Sequence, residues 1–201
     1  MINKTLIRVL YKIVSEKSNE KLIAWDFPPD TFKKAYFVLK KYLGDKGIPI
    51  MQPQGLEGKF ADWPHFSVAF IPLDTSDEKI NKIKLAGPLF TSSLKTKDVR
   101  IFEGRIAPQT FIVWALAFSK PEKYKKFVDF IQEITDKPKN DKEYTPHVSL
   151  AVCDAKYTQQ LKELAPELEK LLKRFSNTYM PTQLQVWEDF RIIDIESLEF
   201  K

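Results

Sequence analysis

The sequence predicts an α+β protein made of two similar lobes that face one groove. Three observations carry this. Windows of strand-like alternation and helix-like 3.6-residue spacing follow one another along the chain. The two histidines, His65 and His147, occur in matched contexts, Pro64-His65-Phe66-Ser67-Val68 and Pro146-His147-Val148-Ser149-Leu150. The segments around them follow the same order of helix, loop, Pro-His strand, helix and paired strands, with the two histidines 82 residues apart.

Met1 to Ser18 carries Leu6, Val9, Leu10, Ile13 and Val14 at helical spacing, broken by Lys4, Arg8 and Lys12. This is an amphipathic helix, because a signal peptide needs an unbroken apolar stretch. Residues 1–20 are therefore assigned to this helix and 21–201 to one domain. Lys21 to Phe27 is an apolar strand closed by Pro28 and Pro29. Asp30 or Thr31 can cap the next helix, whose apolar face is Phe32, Ala35, Tyr36, Leu39 and Leu43. Ile48 to Trp63 reads as a loop, Pro64 to Ile71 as a strand and Thr75 to Ala86 as a helix with Ile80 and Ile83 inward. Asp98–Arg105 and Thr110–Phe118 form a hairpin, and Pro121–Ile134 is a helix. After a charged loop, Lys137 to Tyr144, the theme repeats. Pro146 to Val152 is a strand, Leu161 to Phe175 supplies a helix stripe, and Gln183–Trp187 and Arg191–Ile195 are closing strands.

A chain of 201 residues, 43% hydrophobic and 29% charged, suits one compact unit. No window approaches the eighteen or so apolar residues of a membrane span, so no membrane partner is expected. Cys153 is the single cysteine; it cannot form an intramolecular disulfide, reads as a buried apolar residue, and fits a reducing cytosol and a cytoplasmic location. A net charge of +5 leans weakly toward an anionic partner such as a nucleotide.

Both histidines have proline before them and serine two residues after. In a shuffled chain of this composition that agreement arises on the order of once in a hundred thousand. Alternation along a strand places His65, Ser67 and Ala69 on one face and Phe66, Val68 and Phe70 on the other. In the second copy it groups His147, Ser149 and Ala151 against Val148, Leu150 and Val152. Each strand then buries its apolar face and turns a histidine and a serine toward the groove. Two imidazoles flanking a phosphodiester suffice for acid and base catalysis, and two hydroxyls can donate to the non-bridging oxygens where charge accumulates. His65, His147, Ser67 and Ser149 are thus the candidate catalytic residues. No cluster of His, Cys and carboxylates has ligand spacing, so no metal and no cofactor are expected.

These motifs resemble those of the 2H phosphoesterase superfamily, which carries a duplicated His-x-Ser/Thr-apolar signature on strands of two similar lobes. Lys21 to Pro29 is similar to the opening strand and turn of its 2'-5' RNA ligase and cyclic phosphodiesterase branch, and the likeness runs from about Lys21 to Ile195. The resemblance implies a bilobal fold, with two antiparallel sheets lining a central groove and helices outside. It also implies cleavage of a 2',3'-cyclic phosphate, a 2'-5' or 3'-5' RNA linkage, or a cyclic oligonucleotide. Some viral members dismantle nucleotide second messengers of immunity.

Base recognition calls for aromatic platforms and cations near the phosphate. Trp63 and Tyr144 lie just before the two motifs, and Arg100 and Arg105 lie on the central hairpin. Trp187 and Glu188, on a late strand, complete the substrate-binding candidates. The expected partner is a nucleotide or oligoribonucleotide, bound by a monomer. The alternative to an enzyme is an RNA- or nucleotide-binding module that keeps the pocket without turnover.

Overall fold

The computed structural model describes residues 20–28, 30–50, 66–106, 109–137, 145–188 and 191–198. The amphipathic segment 1–18, Trp63, His65 and Tyr144 lie outside the described residues. Among the described residues there are eight strands and four α-helices. In chain order they are β1 (Glu20–Asp26), α1 (Lys33–Asp45), β2 (Phe66–Pro72), α2 (Asp77–Phe90), β3 (Leu94–Ile106) and β4 (Gln109–Phe118). The second part holds α3 (Glu122–Ile134), β5 (His147–Asp154), α4 (Thr158–Lys173), β6 (Thr178–Tyr179), β7 (Gln183–Glu188) and β8 (Arg191–Ser197). Among the described residues no helix is long and apolar enough to cross a membrane.

The strands form one sheet in the order β6-β3-β4-β5-β2-β1-β7-β8, with every neighbouring pair antiparallel. It consists of two four-stranded halves joined between β5 and β2, where Phe66 pairs with Val148. The duplication read along the chain is interleaved in space. The β3–β4 hairpin that follows the first motif strand pairs with the second, β5, while β7, which follows the second motif, pairs with β1 beside β2. The helices cross in the same sense, with α1 on β5 and α3 on β2. Neither half is thus built from one continuous repeat, so neither can close its core without the other.

Apolar alternation explains the core. Phe66, Val68, Val148 and Leu150 are buried, and Trp25 stacks on both Phe66 (5.7 Å) and Phe127 of α3 (5.8 Å). Burying side chains of this size contributes roughly 1.5–3 kcal/mol each. Cys153 is fully buried, and burial pushes its thiol up to about 12, so it packs as the sequence predicts.

The structure corrects three local readings. Neither Asp30 nor Thr31 caps α1; the helix starts after Phe32, Asp30 adopts φ 69°, and Thr31 donates to the Pro28 carbonyl instead. Helix α2 runs four residues past Ala86, through Gly87 and Pro88, because Gly87 lies against the core. A Cβ there would come within 3.0 Å of Leu184 Cδ1 and 3.1 Å of Leu198 Cδ2. Most consequential, strict alternation fails in both motif strands. Ser67 pairs with Ala24 and Ala69 with Ile23, so Val68 is skipped; Ser149 pairs with Ala115 and Ala151 with Trp114, so Leu150 is skipped. These register shifts occupy equivalent positions, each three residues after a motif histidine. A bulge of this kind turns the following side chains over. Ala151 accordingly joins the buried face, and Phe70 is 47% exposed rather than packed under the sheet.

Candidate functional site

Ser67, His147 and Ser149 are half-buried, while Phe66, Val68, Val148 and Leu150 beside them are buried. His147 begins β5. Its preceding residue is tied to β4 by Phe118 N–H donating to the Pro146 carbonyl at 2.9 Å. The imidazole is half-buried. Its Nδ1 lies 2.8 Å from the Thr145 carbonyl, and its ring lies 4.6 Å from that of Phe102 on β3. A carbonyl only accepts, so in this contact Nδ1 carries the proton, and Nε2 is the nitrogen at which the neutral ring takes one up. Burial pushes the His147 imidazole below its ordinary value, and the Thr145 hydrogen bond offsets part of that. The neutral form is therefore favoured in the ligand-free protein.

Ser67 and Ser149 are both half-buried and occupy corresponding places on the two halves. Across the second half, Ser149, Ala115 and Arg100 form one register row over β5, β4 and β3. Across the first, Ser67, Ala24 and Gln185 form the matching row over β2, β1 and β7. Each serine thus faces a small alanine, and beyond the alanine stands a longer polar side chain. Ala24 and Ala115 keep the floor between them low. Among the described residues no hydrogen bond engages the Ser149 hydroxyl.

The rows differ chemically. Arg100 donates from Nε and Nη2 to Asp98 at 3.1–3.3 Å, which fixes the plane of the guanidinium. Gln185 is nearly fully buried; its Nε2 donates to Asp26 Oδ2 at 2.9 Å, and its Oε1 accepts from Trp187 Nε1 at 3.0 Å. Of the residues singled out in the sequence, Arg100 falls in the row of Ser149, whereas Trp187 pairs with Leu22 and reaches the row of Ser67 only through its hydrogen bond to Gln185. Glu188 stands one residue past Trp187 and ion-pairs with Lys21 at 3.8 Å, away from the serine row. Arg105 pairs with Thr110 near the β3–β4 turn. Sequence reasoning missed Gln185, Asp26 and Phe102, which carry no local motif; only strand register brings them to the serines and to His147. Among the described residues no group of three or more His, Cys, Asp or Glu side chains is placed to hold a metal ion.

No family model and no curated protein matches the sequence. Two solved structures of Usb1 from Kluyveromyces marxianus share its fold. One is 12% identical at a TM-score of 0.55, and the other, with uridine monophosphate, is 14% identical at 0.52; each likeness covers 90% of this chain and 98% of Usb1. A weaker likeness, TM-score 0.47 at 11% identity, is to the apo form of E. coli LigT, over 90% of this chain and 95% of LigT. The chain therefore shares the fold of Usb1 over nine-tenths of its length.

Proposed function

We propose that this chain is a phosphodiesterase that cleaves a ribonucleotide phosphodiester by two-histidine acid and base catalysis, without a metal. The observation that carries the reading is the meeting of the two motif strands at the centre of the sheet. Phe66, which follows His65 in sequence, pairs with Val148, which follows His147. In the proposed reaction one imidazole removes the proton from the attacking hydroxyl or water, whose oxygen forms the new bond to phosphorus. The other imidazole protonates the leaving oxygen as its bond breaks. The ligand-free state of His147 supports it as the base, with His65 as the proton donor. The hydroxyls of Ser67 and Ser149 donate to the non-bridging oxygens. That Usb1 has been seen with uridine monophosphate supports a nucleotide ligand for the shared fold. The substrates that fit this chemistry are a 2',3'-cyclic phosphate, a 2'-5' or 3'-5' oligoribonucleotide, and a cyclic oligonucleotide messenger, the last as in a viral nuclease of immune evasion.

The test is a panel of linear, 2',3'-cyclic and cyclic oligonucleotides incubated in excess EDTA, with products resolved by mass and phosphate position. Cleavage of at least one class, lost in His65→Ala and His147→Ala, is the expected result. Retention of a nucleotide with no cleavage of any class would instead identify a binding module.

A further inference from the structure

The two halves place different chemistry at equivalent distances from their serines. Beyond Ser149 stands a guanidinium; beyond Ser67 stands a neutral amide tied to the Asp26 carboxylate and to an indole. The sheet is near-symmetric about the Phe66–Val148 pair, but its charge is not. A polyanion crossing this face meets an arginine paired with Asp98 on the second half and an amide tied to a carboxylate, with no cation in the row, on the first.

Arg100 is separated from Ser149 by the whole of β4, two strand spacings of about 4.8 Å each. Asp98 lies two residues back on the same strand, and the fork it makes with Nε and Nη2 holds the guanidinium along β3. A phosphate held by Ser149 is thus one group, and the phosphate that Arg100 meets is another. Resting on the phosphodiesterase reading of this site, we infer that Arg100 binds a second phosphate, one nucleotide removed from the scissile one. The preferred substrate is then an oligonucleotide whose phosphate-bearing side lies over β3 and whose terminal nucleoside lies over β1 and β7. A nucleoside 2',3'-cyclic phosphate, with no second phosphate, leaves Arg100 unused and is the poorer substrate.

The experiment compares UpU with UpUpU, which differ by one phosphodiester. Binding is measured by titration of their 2'-O-methyl forms, which lack the attacking hydroxyl, and turnover with the unmodified forms. The expected result is binding of UpUpU about tenfold or more tighter than UpU, the size of effect that a hydrogen bond to a charged group gives. Arg100→Gln should bring that ratio close to one, and Arg100→Lys should restore only part of it, because a lysine cannot offer the planar fork. Equal binding of the two probes by the unaltered protein overturns the inference. So does a ratio that Arg100→Gln leaves intact, or an equal loss on both probes, which would put Arg100 on the scissile phosphate. An Arg100-dependent binding ratio with no turnover of either probe would sink the phosphodiesterase reading and leave the second-phosphate site standing.

Discussion

Phe66 and Val148 are register partners, both fully buried, at the point where the two halves of the sheet join. Each follows a motif histidine by one residue in sequence, so the same backbone pairing that closes the core also sets the starts of the two motif strands, β2 and β5, side by side. Core and site therefore share a hinge point, and changes there should be felt in both.

Phe66→Ala should cost about 3–5 kcal/mol, the usual range for truncating a buried phenylalanine. Phe66 stacks on Trp25 and makes edge contacts with Phe118 and Tyr124, so no neighbour is positioned to fill the void without moving. Urea denaturation measures the loss. A midpoint indistinguishable from that of the unaltered protein would mean that this aromatic cluster does not hold the halves together.

His147→Ala and His65→Ala should each lower kcat by about a hundredfold or more. His147 is half-buried at the start of β5 rather than packed in the core, so His147→Ala should leave the circular dichroism spectrum unchanged. Near-native turnover in either variant would remove the acid and base assignment.

Ser149→Ala and Ser67→Ala should slow kcat by about tenfold to a thousandfold, the effect of deleting one donor to a developing oxyanion. Ser149 should show the clearer effect, because its hydroxyl is not engaged by other described residues. Full activity in both variants would place the phosphate elsewhere.

The pH behaviour follows from the lowered His147 value and its sign. The unfolded chain takes up this proton near 6.5, whereas the folded protein resists it until a lower pH. The unfolded state thus binds more protons in that window. Stability is complete above about 6.5 and declines as pH falls toward the folded value. His147→Gln should flatten this part of the stability profile, read from thermal midpoints between pH 7 and 5. In kcat/KM the acidic limb should follow the same group. An acidic limb that persists unchanged in a residually active His147 variant would assign it to another residue.

Activity should survive excess EDTA and should not rise on adding divalent cations. Loss on chelation with recovery on adding metal would show that the two-histidine mechanism is incomplete.

Much of this molecule is legible in the sequence because the signals are local. Alternation and helical spacing locate β1, β4, β5 and all four helices to within a few residues, and the repeated Pro-His-apolar-Ser pattern marks both motif strands. The bulges at Val68 and Leu150 are not legible: a skipped residue is defined by the partner strand, and the run of apolar residues around each reads as unbroken alternation. The two-residue strand β6 is likewise too short to carry a period, and exists because Leu94 and Lys95 lie beside it.

The sequence alone determined that the Pro-His-apolar-Ser motif comes in two copies and so which residues are the candidates for chemistry, since composition and spacing are properties of the chain. Only the tertiary structure decided what surrounds them. Register across three strands sets Arg100 in the row of Ser149 and Gln185 in the row of Ser67. The interleaving of the repeats makes each motif strand depend on a hairpin or helix from the other part of the chain. Hydrogen bonds between strands are fixed by relative displacement in space, and residues far apart in sequence carry no local trace of that displacement.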